Sequence, residues 1–213
     1  MRTAALLVIT LTLPVLPLLA DEPAKQGWTD LFDGKTLAGW KQSGYGGEEA
    51  TVEDGKIVIP LAERLAGITS TREDLPKTNY EVELEARRVE GNDFFVGLTF
   101  PVADSHASLI LGGWGGAVCG ISSLDGEDAN NNETRKTLKF KRGQWYKVRL
   151  RVEPKRIQAW VDDEPLLDVD TTGRTIDIRA EIGPSKPFGL STFSTTAEVK
   201  YVRIRPLPVG DKR

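Results

Sequence analysis

One tryptophan set among four glycines, Gly112-Gly113-Trp114-Gly115-Gly116, is the clearest place in this sequence for recognition of a ring-shaped ligand. Flanking glycines let a backbone approach closely and leave the indole accessible. An indole face suits the apolar face of a pyranose. The same residues also describe a turn whose tryptophan covers one end of a core. The loop Asp125-Gly126-Glu127-Asp128-Ala129-Asn130-Asn131-Asn132-Glu133 is dense in oxygen atoms. Asp125, Glu127 and Asp128 could hold a divalent cation such as calcium, which wants hard oxygen ligands. Asn130 and Asn131 could contact a sugar. The loop lacks the EF-hand spacing, a glycine at position six and a glutamate at twelve, and a solvated surface loop is the competing reading. The one histidine, His106, follows Asp104-Ser105. It is a candidate substrate contact or simply a hydrogen-bonded loop residue. The one cysteine, Cys119, lies in Ala117-Val118-Cys119-Gly120-Ile121 and reads as a buried small hydrophobe. There is no zinc spacing, phosphate loop or nucleophile elbow.

The elements that must position these residues read as strands. Tyr80, Val82, Leu84 and Ala86 alternate with Glu81, Glu83, Glu85 and Arg87, the period of a half-buried strand. Tyr146, Val148, Leu150 and Val152 alternate with Lys147, Arg149, Arg151 and Glu153 in the same way. Glu81, Glu83 and Glu85 could therefore face Arg149 and Arg151 in a cross-strand charge ladder. Residues 94–100 are apolar on both faces, apart from Gly97 and Thr99, which suits a central strand. Asp54-Gly55 predicts a hairpin between 51–53 and 56–59. Asp162-Asp163 divides 157–161 from 165–167, and 199–205 reads as a closing strand. Residues 61–66 could make one or two helical turns. Many short strands with closely spaced turns predict an all-β sandwich or jelly roll.

The chain has 213 residues, 39% hydrophobic and 28% charged, which fits one globular domain. Its formal net charge is −3 with no long basic block, which argues against a nucleic-acid partner. A lone cysteine leaves the fold to its core rather than to disulfides. Met1 and Arg2 precede an uncharged apolar stretch from Ala4 to Ala20, then polar Asp21, Glu22 and Pro23. That is the layout of a secretory signal peptide. Residues 1–20 are expected to be removed and the protein exported, to a periplasm or beyond, with no transmembrane span left. The apolar run is short for a span and is interrupted by Pro14 and Pro17. An uncleaved anchor is the alternative. The expected organisation is a signal at 1–20, a short segment at 21–26, a domain at 27–208 and a tail at 209–213.

The opening Gly27-Trp28-Thr29-Asp30-Leu31-Phe32-Asp33-Gly34-Lys35-Thr36-Leu37-Ala38-Gly39-Trp40 resembles that of the 3-keto-disaccharide hydrolase family. Val52–Ile57, Tyr80–Arg87, Gly143-Gln144-Trp145-Tyr146, Gly189-Leu190 and the ending Arg203–Leu207 resemble later pieces in the same order. The resemblance implies a concanavalin-like jelly roll of two antiparallel sheets, one of them open to sugar. It also implies action on glycosides oxidised at the 3-position, by hydrolysis or by elimination and hydration. A 3-keto group acidifies the C2 proton, a base can abstract it as the glycosidic oxygen leaves, and a cation near the ketone would stabilise the enolate. Glu85 and Arg87 match the long family strand, and the resemblance makes them a candidate carboxylate base or metal ligand beside a positive group.

The sequence also departs from that family. Gly97-Leu98-Thr99-Phe100-Pro101 lacks its arginine, and Ala107–Gly113 lacks its acid and amide. Ser191 and Phe193 stand where Gln and His are usual, and Ala159 stands in place of a His. A non-catalytic glycan-binding module on the same fold is therefore the alternative to an enzyme. A structural envelope protein is a third possibility.

Overall fold

The computed structural model describes residues 27–208. The expected signal at 1–20, the segment 21–26 and the tail 209–213 lie outside the described residues. Fifteen strands follow in chain order: β1 (Thr29–Asp30), β2 (Trp40–Gln42), β3 (Thr51–Glu53), β4 (Lys56–Ile59), β5 (Leu65–Ser70), β6 (Tyr80–Gly91), β7 (Val96–Val102) and β8 (Ser105–Gly113). They continue as β9 (Val118–Ser122), β10 (Lys136–Thr137), β11 (Tyr146–Glu153), β12 (Arg156–Val161), β13 (Glu164–Asp170), β14 (Gly189–Phe193) and β15 (Thr195–Pro206). One short 3₁₀ helix, Ala180–Ser185, precedes β14. The expected helical turns at 61–66 are not formed. Residues 65 and 66 instead begin β5, whose Ala66 and Ile68 fill the core. Burial of alternate side chains there outweighs local helix propensity.

The strands form two antiparallel sheets, as expected of a jelly-roll sandwich. The first runs β13-β12-β11-β6-β15-β4-β3, with β1 added to β15; the second runs β10-β9-β8-β7-β14-β5-β2. The core lies between them. Tyr80, Val82, Leu84 and Ala86 of β6 face Leu98 and Phe100 of β7 and Leu109 and Leu111 of β8 within one cluster. The fully buried Tyr80 hydroxyl needs a partner and donates across the sandwich to the Pro101 carbonyl at 2.6 Å. Asp54 and Gly55 both take positive φ in the β3–β4 hairpin, and Asp162 and Asp163 do so between β12 and β13. Two successive left-handed residues suit the strand twist of a tight hairpin.

The opening motif is a clasp on this core. The Asp33 carboxylate accepts the Lys35 and Thr36 amides, both at 2.7 Å. Leu31 and Phe32 are buried, and the Trp40 indole N–H donates to the Leu31 carbonyl at 2.7 Å.

The outer face of the second sheet carries small residues: Gly67, Gly97, Thr99, Ser108 and Ser191. Residues 171–188, joining β13 to β14, cross this face as a strap. Ser123 and Asp177 exchange backbone hydrogen bonds at one side of the sheet. Thr69 of β5 donates to the Pro184 carbonyl at 2.8 Å at the other. The small side chains leave room for the strap, and Thr99, Ser108 and Ser191 are buried under it.

Candidate functional site

The strap leaves a half-open cavity of about 290 Å³ over one end of the outer face of the second sheet. Trp114 stands at it, 42% exposed. Leu65, Phe94, Ile110 and Phe193 give it apolar walls, and the strap contributes Arg179, Glu181 and Ile182. Ser108, Ser122, Arg64 and Asp93 complete the polar part.

The Trp114 loop is held from beneath. Arg88, 7% exposed, donates through Nη2 to the carbonyls of Gly112 and Gly116, both at 3.1 Å. Asp93 accepts the Gly115 amide through Oδ2 at 3.0 Å and its own neighbour Phe94 through Oδ1 at 2.8 Å. Burial pushes the Arg88 guanidinium below its ordinary acidity range, and Asp93 opposes that shift. Gly112 has φ +76°, and a Cβ there would sit 2.3 Å from Arg88 Nη2. The indole is thus presented on a loop with little freedom, so binding pays little to order that loop.

The strap's charges are largely matched. Arg179 pairs with Asp128 and Glu181, both at 2.6 Å. Burial alone would raise the Glu181 carboxyl, but its backbone hydrogen bond and Arg179 outweigh that and hold it below the usual range. Glu181 is therefore ionised at neutral pH. The Arg64 guanidinium makes no hydrogen bond or ion pair among the described residues.

The other residues singled out in the sequence lie elsewhere. Glu85 and Arg87 are on the outer face of the first sheet, which the cavity does not touch. Lys200 donates to Glu85 at 2.7 Å, and Arg87 pairs with Glu198. The Trp145 ring lies 4.7 Å from Arg87 and 4.2 Å from Lys200. This is the charge ladder, with its partners shifted. Glu81 bonds Arg149 and Arg151 on β11 and Arg205 on β15, whereas Glu83 and Glu85 turn to Arg203 and Lys200 on β15. Asp125 is bonded by Arg174 and by the Thr175 amide, and Asp128 by Arg179. Glu127 contributes a backbone bridge to Leu124. Among the described residues no three His, Cys, Asp or Glu side chains are grouped to hold a metal ion. The acidic loop is docked to the strap by Arg174 and Arg179. Asn130 bonds Asn131 and Arg135 and lines neither cavity. His106 lies in a second cavity of about 350 Å³, with Lys41 and Lys77. Burial, then Lys186 and Lys77, lower its pKa.

Arg88 and the strap residues Arg179 and Glu181 were not singled out in the sequence. Arg88 carried a signal. It continues the inward phase of Tyr80, Val82, Leu84 and Ala86, so an arginine there must find buried acceptors.

The architecture is thus a jelly-roll sandwich with an aromatic, charge-rimmed cavity on the outer face of one sheet. Residues 27–205 match the description of the 3-keto-alpha-glucoside-1,2-lyase-like domain, and the chain belongs to that family. No curated protein matches the chain in sequence. Among solved structures, it resembles a proposed glycosyl hydrolase from Parabacteroides distasonis at 15% identity and TM-score 0.56, covering 89% of this chain and 98% of that one. The carbohydrate binding module CBM66 of Bacillus subtilis matches at 15% identity and TM-score 0.54, over 78% and 95% of the two chains. The Crh5 transglycosylase in complex with NAG matches at 10% identity and TM-score 0.59, over 84% of each. At these identities the likeness shows the fold alone. No helix among the described residues is long and apolar enough to cross a membrane.

Proposed function

We propose that this domain binds a glycoside in the cavity beside Trp114, with a pyranose face stacked on the indole. One observation carries the reading: Trp114 is exposed at the cavity, and the carbonyls and amide of its loop are tied down by Arg88 and Asp93. Tryptophan is enriched among the residues that carry most of the binding energy at recognition sites. Family membership makes an α-glucoside, in its 3-keto or parent form, the first ligand to test. Titration of methyl 3-keto-α-glucoside should change the tryptophan fluorescence. Trp114→Ala should weaken binding by ~10-fold or more, about 1.4 kcal/mol. An undiminished affinity in a folded Trp114→Ala sample would place the ligand elsewhere.

A second reading is elimination on the 3-keto-glycoside, and the ionised Glu181 in the same cavity favours it. A carboxylate could take the C2 proton, made acidic by the ketone, leaving an enolate across C2 and C3. As the C3 ketone re-forms, the electron pair makes the C1–C2 double bond while the C1–O bond breaks and its pair leaves on the aglycone oxygen. Glu181→Gln should abolish turnover while changing affinity only a few-fold. Turnover that survives this substitution excludes Glu181 as the base.

We also propose export, on the strength of residues 1–20. The protein recovered outside the cytoplasm should begin at Asp21 by N-terminal sequencing; an intact Met1 there would contradict cleavage.

A further inference from the structure

The cavity is divided along the strands into a polar end and an apolar end. At the polar end, Ser108 of β8 opposes Ser122 of β9, and Asp128 links the Ser122 hydroxyl to the strap's Arg179. At the other, Phe193 of β14 opposes Leu65 of β5, and the Phe193 amide bonds the Phe94 carbonyl. Ile110, opposite Gly97, lies between. Phe94, Ile110 and Ala129, with Leu65 and Phe193, form an apolar cluster separate from the main core. The Phe94 and Phe193 ring centres are 6.0 Å apart. Gly97 permits this arrangement, because a Cβ there would meet the Phe94 ring at 2.8 Å and Ser191 Oγ at 2.5 Å.

A sugar alone does not account for that apolar end. A pyranose carries hydroxyls around its edge, and each one buried without a partner is costly. Phe94, Phe193, Leu65 and Ile110 offer side chains with no hydrogen-bonding atoms. The volume, about 290 Å³, is also generous. A cavity of roughly 150 Å³ lined by such side chains holds a benzene ring, so there is room for an aromatic ring beside the sugar. In the rim Arg179 and Glu181 are paired with each other, and the Arg64 guanidinium beside Leu65 is left to meet a hydroxyl of the sugar.

We propose that the ligand is a glycoside with an aryl aglycone. The sugar lies between Trp114 and the polar end, and the aryl ring packs on Phe94, Phe193 and Leu65. This rests on the reading of the cavity as a glycoside site and deepens it by naming the ligand class.

Calorimetric titration of the full chain with the 3-keto forms of methyl α-glucoside and phenyl α-glucoside tests the idea, with phenol as a third ligand. The phenyl glucoside should bind ~10-fold or more tighter than the methyl glucoside. Phe193→Ala should collapse that ratio toward one, and Phe193→Leu, which keeps the site apolar, should give an intermediate ratio. Thermal melts check that both variants fold. Equal affinity for the two glucosides, lost in both cases in Trp114→Ala, overturns the aryl proposal and leaves the glycoside site standing. A preference for phenyl untouched by both Phe193 variants overturns the placement of the ring. Phenol binding as tightly as phenyl glucoside, or no binding by any of the three, overturns the glycoside reading itself.

Discussion

Glu81 is fully buried, yet three arginines surround its carboxylate. Arg151 Nε lies at 2.8 Å, Arg205 Nε at 2.7 Å and Arg149 Nη1 at 3.4 Å. Burial alone would raise its pKa; the bonds from Arg205 and Arg151 outweigh that and leave it below the ordinary 4.5. Its folded value therefore lies below its unfolded one. The resulting stabilisation is complete above the unfolded pKa and is lost as pH falls through the folded value. Glu81→Ala leaves three cations around an empty site and should cost roughly 3 kcal/mol. Denaturant melts should show that loss at pH 7 and a smaller one at pH 3; equal losses would contradict the charge argument. The same scale explains what could be read from the sequence. The opening motif names the family because its residues build a clasp: Asp33 closes a turn, Leu31 and Phe32 fill the core, and Trp40 bonds back. Those residues specify the fold and lie away from the cavity. Recognition of the motif therefore said little about where a ligand sits. Trp114 was legible because glycines leave a large aromatic side chain no other cover.

At the scale of elements, the period-two pattern gave β6, β11 and both tight hairpins their correct places, since each has one face in the core. The outer face of the second sheet was not legible. Gly97, Thr99, Ser108 and Ser191 look like weak strand positions until the strap that lies on them is known. The strap itself is tied by contacts distant in sequence, Arg174 with Asp125 and Arg179 with Asp128, and no local period announces such pairs. Arg88 sits where the alternation of β6 enters the molecule beneath the Trp114 loop, and that loop supplies a discriminating test. Gly112 and Gly115 both have positive φ, so alanine at either carries a backbone cost of about 1–2 kcal/mol. Only at Gly112 does the added Cβ also displace Arg88; at Gly115 nothing lies within 4 Å. Gly112→Ala should therefore weaken glycoside binding ~10-fold, and Gly115→Ala distinctly less, in parallel titrations. Equal effects would show that Arg88 does not position the loop.

Over the whole molecule, the two sheets present two outer faces of different character. The first carries a closed ladder of carboxylates, cations and tryptophans. Trp28, Trp145 and Trp160 each lie under an arginine or lysine there. Its groups are matched to one another, and Glu85 belongs to that ladder. The second carries the strap, the cavity and Trp114. The most direct measurement is therefore a comparison of Trp114→Ala with Glu85→Ala by isothermal titration calorimetry on methyl 3-keto-α-glucoside. A site on the second sheet requires binding lost or weakened ~10-fold or more in Trp114→Ala and kept at the wild-type affinity in Glu85→Ala. The reverse pattern, binding kept without the indole and lost without Glu85, would move the site to the first sheet and contradict the assignment.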